Sequence, residues 1–221
     1  MKTLVFISIA FALALFTTSI SAQDSKVSFG IQLKPTITWL GGLPVAGDKR
    51  LSYSAGLISE YEINSQFAIK SGISLERKGT LSTITFTDTS GIPSGPVDIK
   101  YNFDYLVVPV IVSYSTKGNG NVKTYFDGGP YIGYLLSHKI IQDSYGTIPE
   151  ITTDNSDNTR KIDLGLSLGT GLCVPLGNSF VFDIGLNANL GLINARKDNN
   201  NSAHPLKPNS VGLLMALKYR L

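Results

Sequence analysis

The sequence is short of cysteine, of charge and, after its first residues, of long apolar runs. Cys173 is the only cysteine, so an intramolecular disulfide and a two-cysteine redox motif are both excluded. Beyond the N-terminal segment, no apolar run approaches the ~20 residues of a membrane-spanning helix. The net charge of +3, with no basic stripe interleaved with aromatics, gives no reason to expect a nucleic-acid partner. If the mature chain crosses a membrane, it must do so as a closed β-barrel, because lipid cannot satisfy an open sheet edge.

The N-terminal residues 1–22 have the composition of a cleaved secretory signal peptide. Lys2 gives the positive start, residues 4–16 the apolar run, and Ile20-Ser21-Ala22 the small-residue cleavage site. The apolar run is too short for a spanning helix, which favours cleavage over an uncleaved anchor. We therefore expect an exported protein whose mature part, residues 23–221, is a single β-barrel domain.

The mature chain does contain a strand-like alternation of residue types. It is clearest in residues 160–193, where two alternating segments flank the turn Gly177-Asn178. One parity of the first segment is apolar: Ile162, Leu164, Leu166, Leu168, Leu172 and Val174. The other parity is small or polar: Asp163, Gly165, Ser167, Gly169, Gly171 and Cys173. A period of two over such long segments predicts a β-hairpin with one face suited to lipid and the other to a crowded interior.

The same alternation recurs along the chain and predicts about eight strands. Short connections at Asn64-Ser65, 117–121 and Gly177-Asn178 alternate with long polar ones, as in outer-membrane barrels. The predicted fold is all-β: an eight-stranded antiparallel up-and-down transmembrane β-barrel with short periplasmic turns and long extracellular loops. The pattern fails only at 106–112, which is apolar on both parities, and there Pro109 predicts a bulge that switches the faces.

The inward parity of the predicted strands carries both glycines and charges. An eight-stranded barrel has an interior only wide enough for side chains, so opposite charges in it should pair. The predicted structural interior charges are Glu60, Glu62, Lys70, Glu76, Asp127, Asp163, Asp183, Lys218 and Arg220. We expect a plugged barrel and not an open pore. Trp39, Tyr53 and Tyr219 are the predicted membrane-interface aromatics.

Residues that could carry catalysis or bind metal are few. Ser137, His138 and Asp143 could supply a nucleophile, a base and an acid, but neighbouring strand residues point to opposite faces. Asp143, Asp154 and Asp157 could hold calcium through oxygen atoms, although their spacing does not match an EF-hand. We expect no enzymatic activity, no metal and no cofactor.

Three segments carry a resemblance to a known family. Residues 105–112 read Tyr-Leu-Val-Val-Pro-Val-Ile-Val, 125–136 contain Phe-Asp-Gly-Gly-Pro-Tyr, and 163–171 read Asp-Leu-Gly-Leu-Ser-Leu-Gly-Thr-Gly. This order resembles the PorT-like outer-membrane β-barrel family of Bacteroidetes, with its Tyr-Leu-x-Ile-Pro-Leu-like, aromatic-x-x-Gly-Pro-Tyr and Asp-x-Gly strands. The resemblance implies the bacterial outer membrane as location, and a link to protein secretion through one member.

These observations leave two functional hypotheses. The first is a structural or interaction component of the cell envelope, secretion-associated, whose partners are outer-membrane lipid, the barrel-assembly machinery during biogenesis and an unidentified envelope or secretion protein. The alternative is a small-solute channel or a lipocalin-like ligand-binding barrel. Charged and glycine-rich positions line the inside in the first case, whereas apolar residues line a lipocalin cavity.

Overall fold

The computed structural model describes residues 26–41, 48–87, 93–116, 122–144, 149–197 and 205–221. The expected signal peptide 1–22, the expected turn 117–121 and His204 lie outside these residues. Within the described residues, no helix is long and apolar enough to span a membrane.

The described residues form a closed ring of antiparallel strands. The strands are β1 (Val27–Gly41), β2 (Arg50–Glu62), β3 (Phe67–Thr87), β4 (Pro93–Ser115), β5 (Lys123–Gln142), β6 (Ile151–Asp154), β7 (Ile162–Leu176), β8 (Phe180–Gly191) and β9 (Lys207–Arg220). Each long strand pairs with the next, and β9 pairs with β1 to close the ring. The predicted all-β up-and-down barrel of eight strands is confirmed, with the short β6 as an addition on the end of β5.

The two-residue period sorts the side chains into an apolar outer wall and a polar interior. On β1, Ile31 and Leu33 are 57% and 54% exposed, whereas Gln32 and Lys34 are 8% and 7% exposed. The same division holds along β2, β3, β7 and β9. Exposed apolar residues around a buried polar interior are the reverse of a water-soluble protein and the arrangement of a barrel in lipid.

The predicted bulge at Pro109 is wrong. Pro109 pairs in register with Tyr131 of β5, because a proline removes one ladder donor without inserting a residue. The irregularity lies further along the pair, where the step from Asp104 to Tyr105 faces an additional residue, Leu136, in β5. At 106–112, β4 is apolar on both parities because its outward side chains face lipid and its inward side chains fill the lumen.

The ends of the barrel differ. At the turn end, Asn64 Oδ1 accepts hydrogen bonds from the backbone of Gln66 and Phe67, and Gly177 has a φ of +69°, which favours glycine. At the loop end, the connection between β5 and β7 folds back as β6 and a short 3₁₀ helix, Ser156–Asn158. The wall is also uneven in height, since β3, β4 and β5 have 21, 23 and 20 residues but β8 has 12.

Candidate functional site: the interior of the barrel

A cluster of five charged side chains crosses the interior near the turn end. This turn-end cluster consists of Glu60, Lys70, Asp127, Asp183 and Lys218. Lys218 Nζ lies 2.5 Å from a Glu60 oxygen and 2.8 Å from an Asp183 oxygen. Lys70 Nζ lies 3.1 Å from Asp127 and 3.8 Å from Asp183, which joins the two lysines into one group. No side chain in the cluster is more than 11% exposed, so two cations and three carboxylates share a water-poor space.

A second group of polar side chains, the mid-barrel network, lies above the turn-end cluster. Lys78 Nζ is 3.0 Å from Asp163 Oδ2 and donates a hydrogen bond of 2.9 Å to the Tyr131 hydroxyl. That hydroxyl donates to Asp163 at 3.0 Å, which closes a triangle. Lys78 is fully buried. Three strands are thereby tied together across the lumen.

Glu76 is the other buried carboxylate of the mid-barrel network. It accepts hydrogen bonds from Ser210 at 2.5 Å and from Asn189 at 2.8 Å. Lys34 and Lys78 attract it electrostatically. Two cations therefore match the two carboxylates, Glu76 and Asp163, as burial of charge requires.

Apolar side chains close the lumen at the loop end. This apolar cap consists of Leu40, Phe103, Tyr105, Val107, Tyr131, Leu135 and Ala195. Below it, between the mid-barrel network and the turn-end cluster, lies a polar cavity of only about 50 Å³, lined in part by Lys34, Lys70 and Asp127. Such a cavity holds a few waters. Charge pairs and apolar packing fill the lumen on both sides of it.

A polar, filled interior inside an apolar wall agrees with the family comparison. Residues 16–194 match the family model described as an outer membrane protein beta-barrel domain. This chain belongs to that outer-membrane β-barrel family. It is accordingly a bacterial outer-membrane protein, with its turn end in the periplasm and its loop end outside the cell. No curated protein matches the sequence.

Solved structures share the barrel fold at low sequence identity. Neisserial surface protein A is 11% identical with a TM-score of 0.51, over 89% of this chain and 98% of that one. A major outer membrane protein from Thermus thermophilus is 13% identical with a TM-score of 0.50, over 88% and 99%. These likenesses show the fold alone.

The nine charged residues proposed from the sequence fall into three groups in this outer-membrane barrel. Glu60, Lys70, Asp127, Asp183 and Lys218 form the turn-end cluster, and Glu76 and Asp163 belong to the mid-barrel network. Glu62 and Arg220 pair at 2.9 Å at the periplasmic mouth, where their side chains are 32% and 41% exposed. Sequence reasoning missed Lys34 and Lys78. Each lies on the polar parity of its strand, two residues from another inward polar group. That parity could have identified both lysines as interior residues.

The three proposed interface aromatics lie on the outward parity. Trp39 and Tyr53 are near the loop end, and Tyr219, 46% exposed, is near the turn end. Tyr219 packs edge-on against Phe180, with ring centroids 5.3 Å apart. A further outward pair at the turn end, Phe67 and Tyr114 at 5.2 Å, was not proposed from the sequence. Aromatic side chains at these two levels match the girdles of outer-membrane barrels.

The residues considered for catalysis are not brought together. The Ser137 hydroxyl donates to Asp104 on the outer face at 3.1 Å, and Asp143 is paired with Lys100 at 2.5 Å. His138 turns to the inside, so the three groups cannot act on one substrate.

The loop aspartates considered for calcium are also separate. Asp154 accepts the backbone N–H of Ser156 at 2.9 Å, and Asp143 is occupied by its lysine. In the part of the chain that the structure describes, no three His, Cys, Asp or Glu side chains are grouped to hold a metal ion.

Each mouth of the barrel is a depression above the filled lumen. The periplasmic one has a volume of about 440 Å³ and is lined by Glu62, Cys173, Asn178, Arg220 and neighbouring turn residues. The one at the loop end, which we name the outer pocket, has a volume of about 230 Å³. The outer pocket is lined by Leu40, Tyr101, Phe103, His138, Ile140, Asn155, Asn158, Thr159, Ala195, Arg196 and Leu206.

Proposed function

We propose that this protein is a plugged barrel that serves as a structural and interaction component of the outer membrane. The observation that carries the proposal is the triangle of Lys78, Asp163 and Tyr131: Lys78 reaches across the lumen to Asp163 at 3.0 Å and to Tyr131 at 2.9 Å, and Tyr131 and Asp163, on neighbouring strands, are joined at 3.0 Å. A solute path along the axis would have to separate these buried charges. Removing one partner from such a pair costs about 3–5 kcal/mol, so the closed state is strongly favoured.

The interior chemistry opposes the lipocalin-like alternative. A lipocalin-like barrel holds its ligand against apolar side chains inside and presents polar ones outside. Here Lys70, Glu76 and Asp183 are inside while Leu57, Leu75 and Leu186 are outside, each more than half exposed. The small-solute channel is the competing hypothesis, and a conductance measurement distinguishes it from the plugged barrel.

Conductance of the purified full-length protein in planar bilayers tests the plug. We expect no steady channel current from the native chain. A matched variant, Lys78→Ala with Tyr105→Ala and Tyr131→Ala, removes the triangle and part of the apolar cap, and we expect small steady currents from it. Porin-like current from the native protein would overturn the plugged barrel.

The partner that we propose is a protein of the envelope or of a secretion complex. Support comes from the likeness of 105–112, 125–136 and 163–171 to the PorT-like family, together with an interior filled by ion pairs and apolar side chains. Outer-membrane lipid and, during biogenesis, the assembly machinery complete the proposed contacts.

Cross-linking in intact cells, followed by gentle solubilisation and identification of the captured proteins, tests the partner. A photoreactive residue at Asn178 in the periplasmic turn probes one side, and one at Lys139 on the outer side of β5 probes the other. A control at Leu168, in the lipid-facing wall, reports unspecific capture. The interaction role would be contradicted if all three positions captured the same proteins. It would also be contradicted if the captured proteins were assembly factors alone.

A further inference from the structure

The outer pocket contains a buried histidine whose polar edge the protein only half satisfies. His138 is 5% exposed and stacks on Phe103, with ring centroids 3.8 Å apart. Its Nδ1 lies 2.7 Å from the Thr159 hydroxyl. Its Nε2 is shielded from bulk solvent and has no hydrogen-bond partner among the described residues. A buried polar atom without a partner costs about 1–3 kcal/mol.

The hydrogen bonds around His138 determine its tautomer. The Thr159 hydroxyl has one hydrogen, which it donates to the Asn155 carbonyl at 2.9 Å. It must therefore accept its second bond, the one to the imidazole, from Nδ1–H. Burial lowers the pKa of His138 to about 4, so the ring is neutral at physiological pH. Nε2 is then a bare lone pair that can only accept.

The pocket lies above the lipid-facing band. His138 pairs with Phe103 in the ladder, and the adjacent pair is Asp104 with Ser137. On the outer face at this level, Asp104 forms an ion pair with Arg77 at 2.6 Å. Charged side chains there indicate that this part of the wall meets water or lipid headgroups, because a charge facing hydrocarbon is costly.

The walls of the outer pocket are held in place by hydrogen bonds between separate loops. The backbone N–H of His138 donates to Ser156 Oγ at 2.8 Å. Arg160 N–H donates to the Ala195 carbonyl, and Ala195 N–H to the Leu206 carbonyl, both at 2.8 Å. The β5–β7 connection and the β8–β9 connection are thereby joined over the lumen. A pocket built in this way is preformed, which lowers the entropic cost of binding.

The lining of the outer pocket is largely apolar. Phe103, Leu40 and Ala195 are buried there, and Tyr101 and Leu206 pack against the same group. Its volume of about 230 Å³ lies below the range of about 300–1,000 Å³ that suits drug-sized ligands. The volume, the apolar lining and the unpaired Nε2 together suit a small ring with one polar edge.

We propose that the outer pocket binds a small apolar ring compound that carries a single N–H or O–H donor, directed at His138 Nε2. The ring lies among the apolar lining residues, and the donor satisfies the lone pair that the protein leaves unpaired. The outer pocket shares Leu40, Phe103 and Ala195 with the apolar cap, but ligand binding there needs no protein partner. It requires no passage through the lumen, since the pocket opens at the outer mouth.

Two bicyclic compounds of nearly equal shape test the donor requirement. Indole has an N–H, whereas benzofuran has an oxygen at the same position and no donor. Titrations use the full mature protein in lipid nanodiscs, without a histidine tag, with ¹⁵N-labelled histidine. The chain has only two histidines, so His138→Phe assigns the Nε2 signal. We expect indole to shift that signal saturably and to bind about tenfold more tightly than benzofuran, the difference that one hydrogen bond makes.

Three variants separate this site from partition into the lipid. His138→Phe keeps a flat ring without the acceptor, and we expect it to lose the preference for indole. Thr159→Val removes the acceptor of Nδ1–H and should weaken the preference while the ring remains. Ser137→Ala, at the neighbouring outward position, should keep it. Equal binding of the two compounds to the native protein, saturable binding of neither, or an unchanged preference in His138→Phe would each overturn the proposal.

Discussion

Lys78 Nζ and Asp163 Oδ2 lie 3.0 Å apart in the middle of the barrel, with 0% and 3% of their side chains exposed. The two residues are 85 positions apart in the chain and come from β3 and β7, which are not neighbours in the ring. Their pairing links two walls through the lumen. The stability of the barrel and the proposed closure of its lumen therefore depend on the same contact.

The substitution Lys78→Met should destabilise the barrel by about 3–5 kcal/mol, because it leaves the Asp163 carboxylate buried without its cation. The double variant Lys78→Met with Asp163→Leu should recover much of that loss, since no charge is stranded. Reversible urea unfolding in lipid vesicles measures both. Lys100→Met is the control, because its pair with Asp143 is one-third exposed and is expected to contribute at most ~1 kcal/mol. Equal losses for Lys78→Met and Lys100→Met would contradict the assignment.

In the turn-end cluster, Lys70→Met should cost more stability than Asp183→Asn. The cluster holds three carboxylates and two lysines, so loss of Lys70 leaves three anions facing one cation. Asp183→Asn removes the excess negative charge and keeps the side-chain volume. Unfolding midpoints of the two variants, compared under identical conditions, give the order, and the reverse order would show that the net charge of the cluster does not determine its stability.

The contribution of His138 should make the loop end sensitive to acid. Burial lowers the pKa of His138 from 6.5 to about 4, with Asp154 opposing the shift in part. A group whose pKa is lower in the folded state binds more protons when unfolded, so stability falls as the pH falls. The stabilisation that comes from burying neutral His138 is complete above about pH 6.5 and is lost progressively towards pH 4. Between pH 6.5 and pH 4 the unfolding midpoint of the native protein should fall as the pH falls. The midpoint of His138→Phe should fall less over the same range. Repeating both series at high salt controls for the effect of surface charge.

Trp39, the only tryptophan, reports the depth of the loop end directly. It lies on the outward parity near the end of β1, where an interface aromatic belongs. Its fluorescence should be quenched more strongly by lipids brominated near the headgroup than by lipids brominated at the chain ends. The control Trp39→Phe with Leu168→Trp moves the probe to the lipid-facing wall of β7 and should reverse the order. The absence of quenching would show that Trp39 does not lie at the membrane interface.

Alternation predicted the barrel well where one face of a strand is apolar and the other polar. On β1 and β7 the outward apolar residues and the inward Gln32, Lys34 and Asp163 could be sorted from parity alone. β4 could not be sorted at 106–112, because its inward Val107 and Ile111 are as apolar as its outward Val110 and Val112. The hydrophobicity of a residue does not distinguish a position that faces lipid from one that fills the lumen.

The pairing of interior charges could be expected but not assigned from the sequence. Parity places Lys218, Glu60 and Asp183 inside, yet their contacts at 2.5 and 2.8 Å depend on the register of each ladder. One added residue in β5, Leu136, shifts that register for everything above it. His138 therefore faces inward beside Phe103, a position that strict alternation from Tyr134 outward would not have given it.

The uneven height of the wall makes the barrel asymmetric about its own axis at the outer end. β3, β4 and β5 continue as a paired screen beyond the level at which β7 begins, and β6 broadens this screen. Among the described residues, a molecule that arrives parallel to the membrane surface meets either this screen or the shorter strand β8. Rotation of the barrel about its own axis therefore changes what the surroundings encounter, and lateral neighbours in the membrane can be distinguished by the side from which they approach.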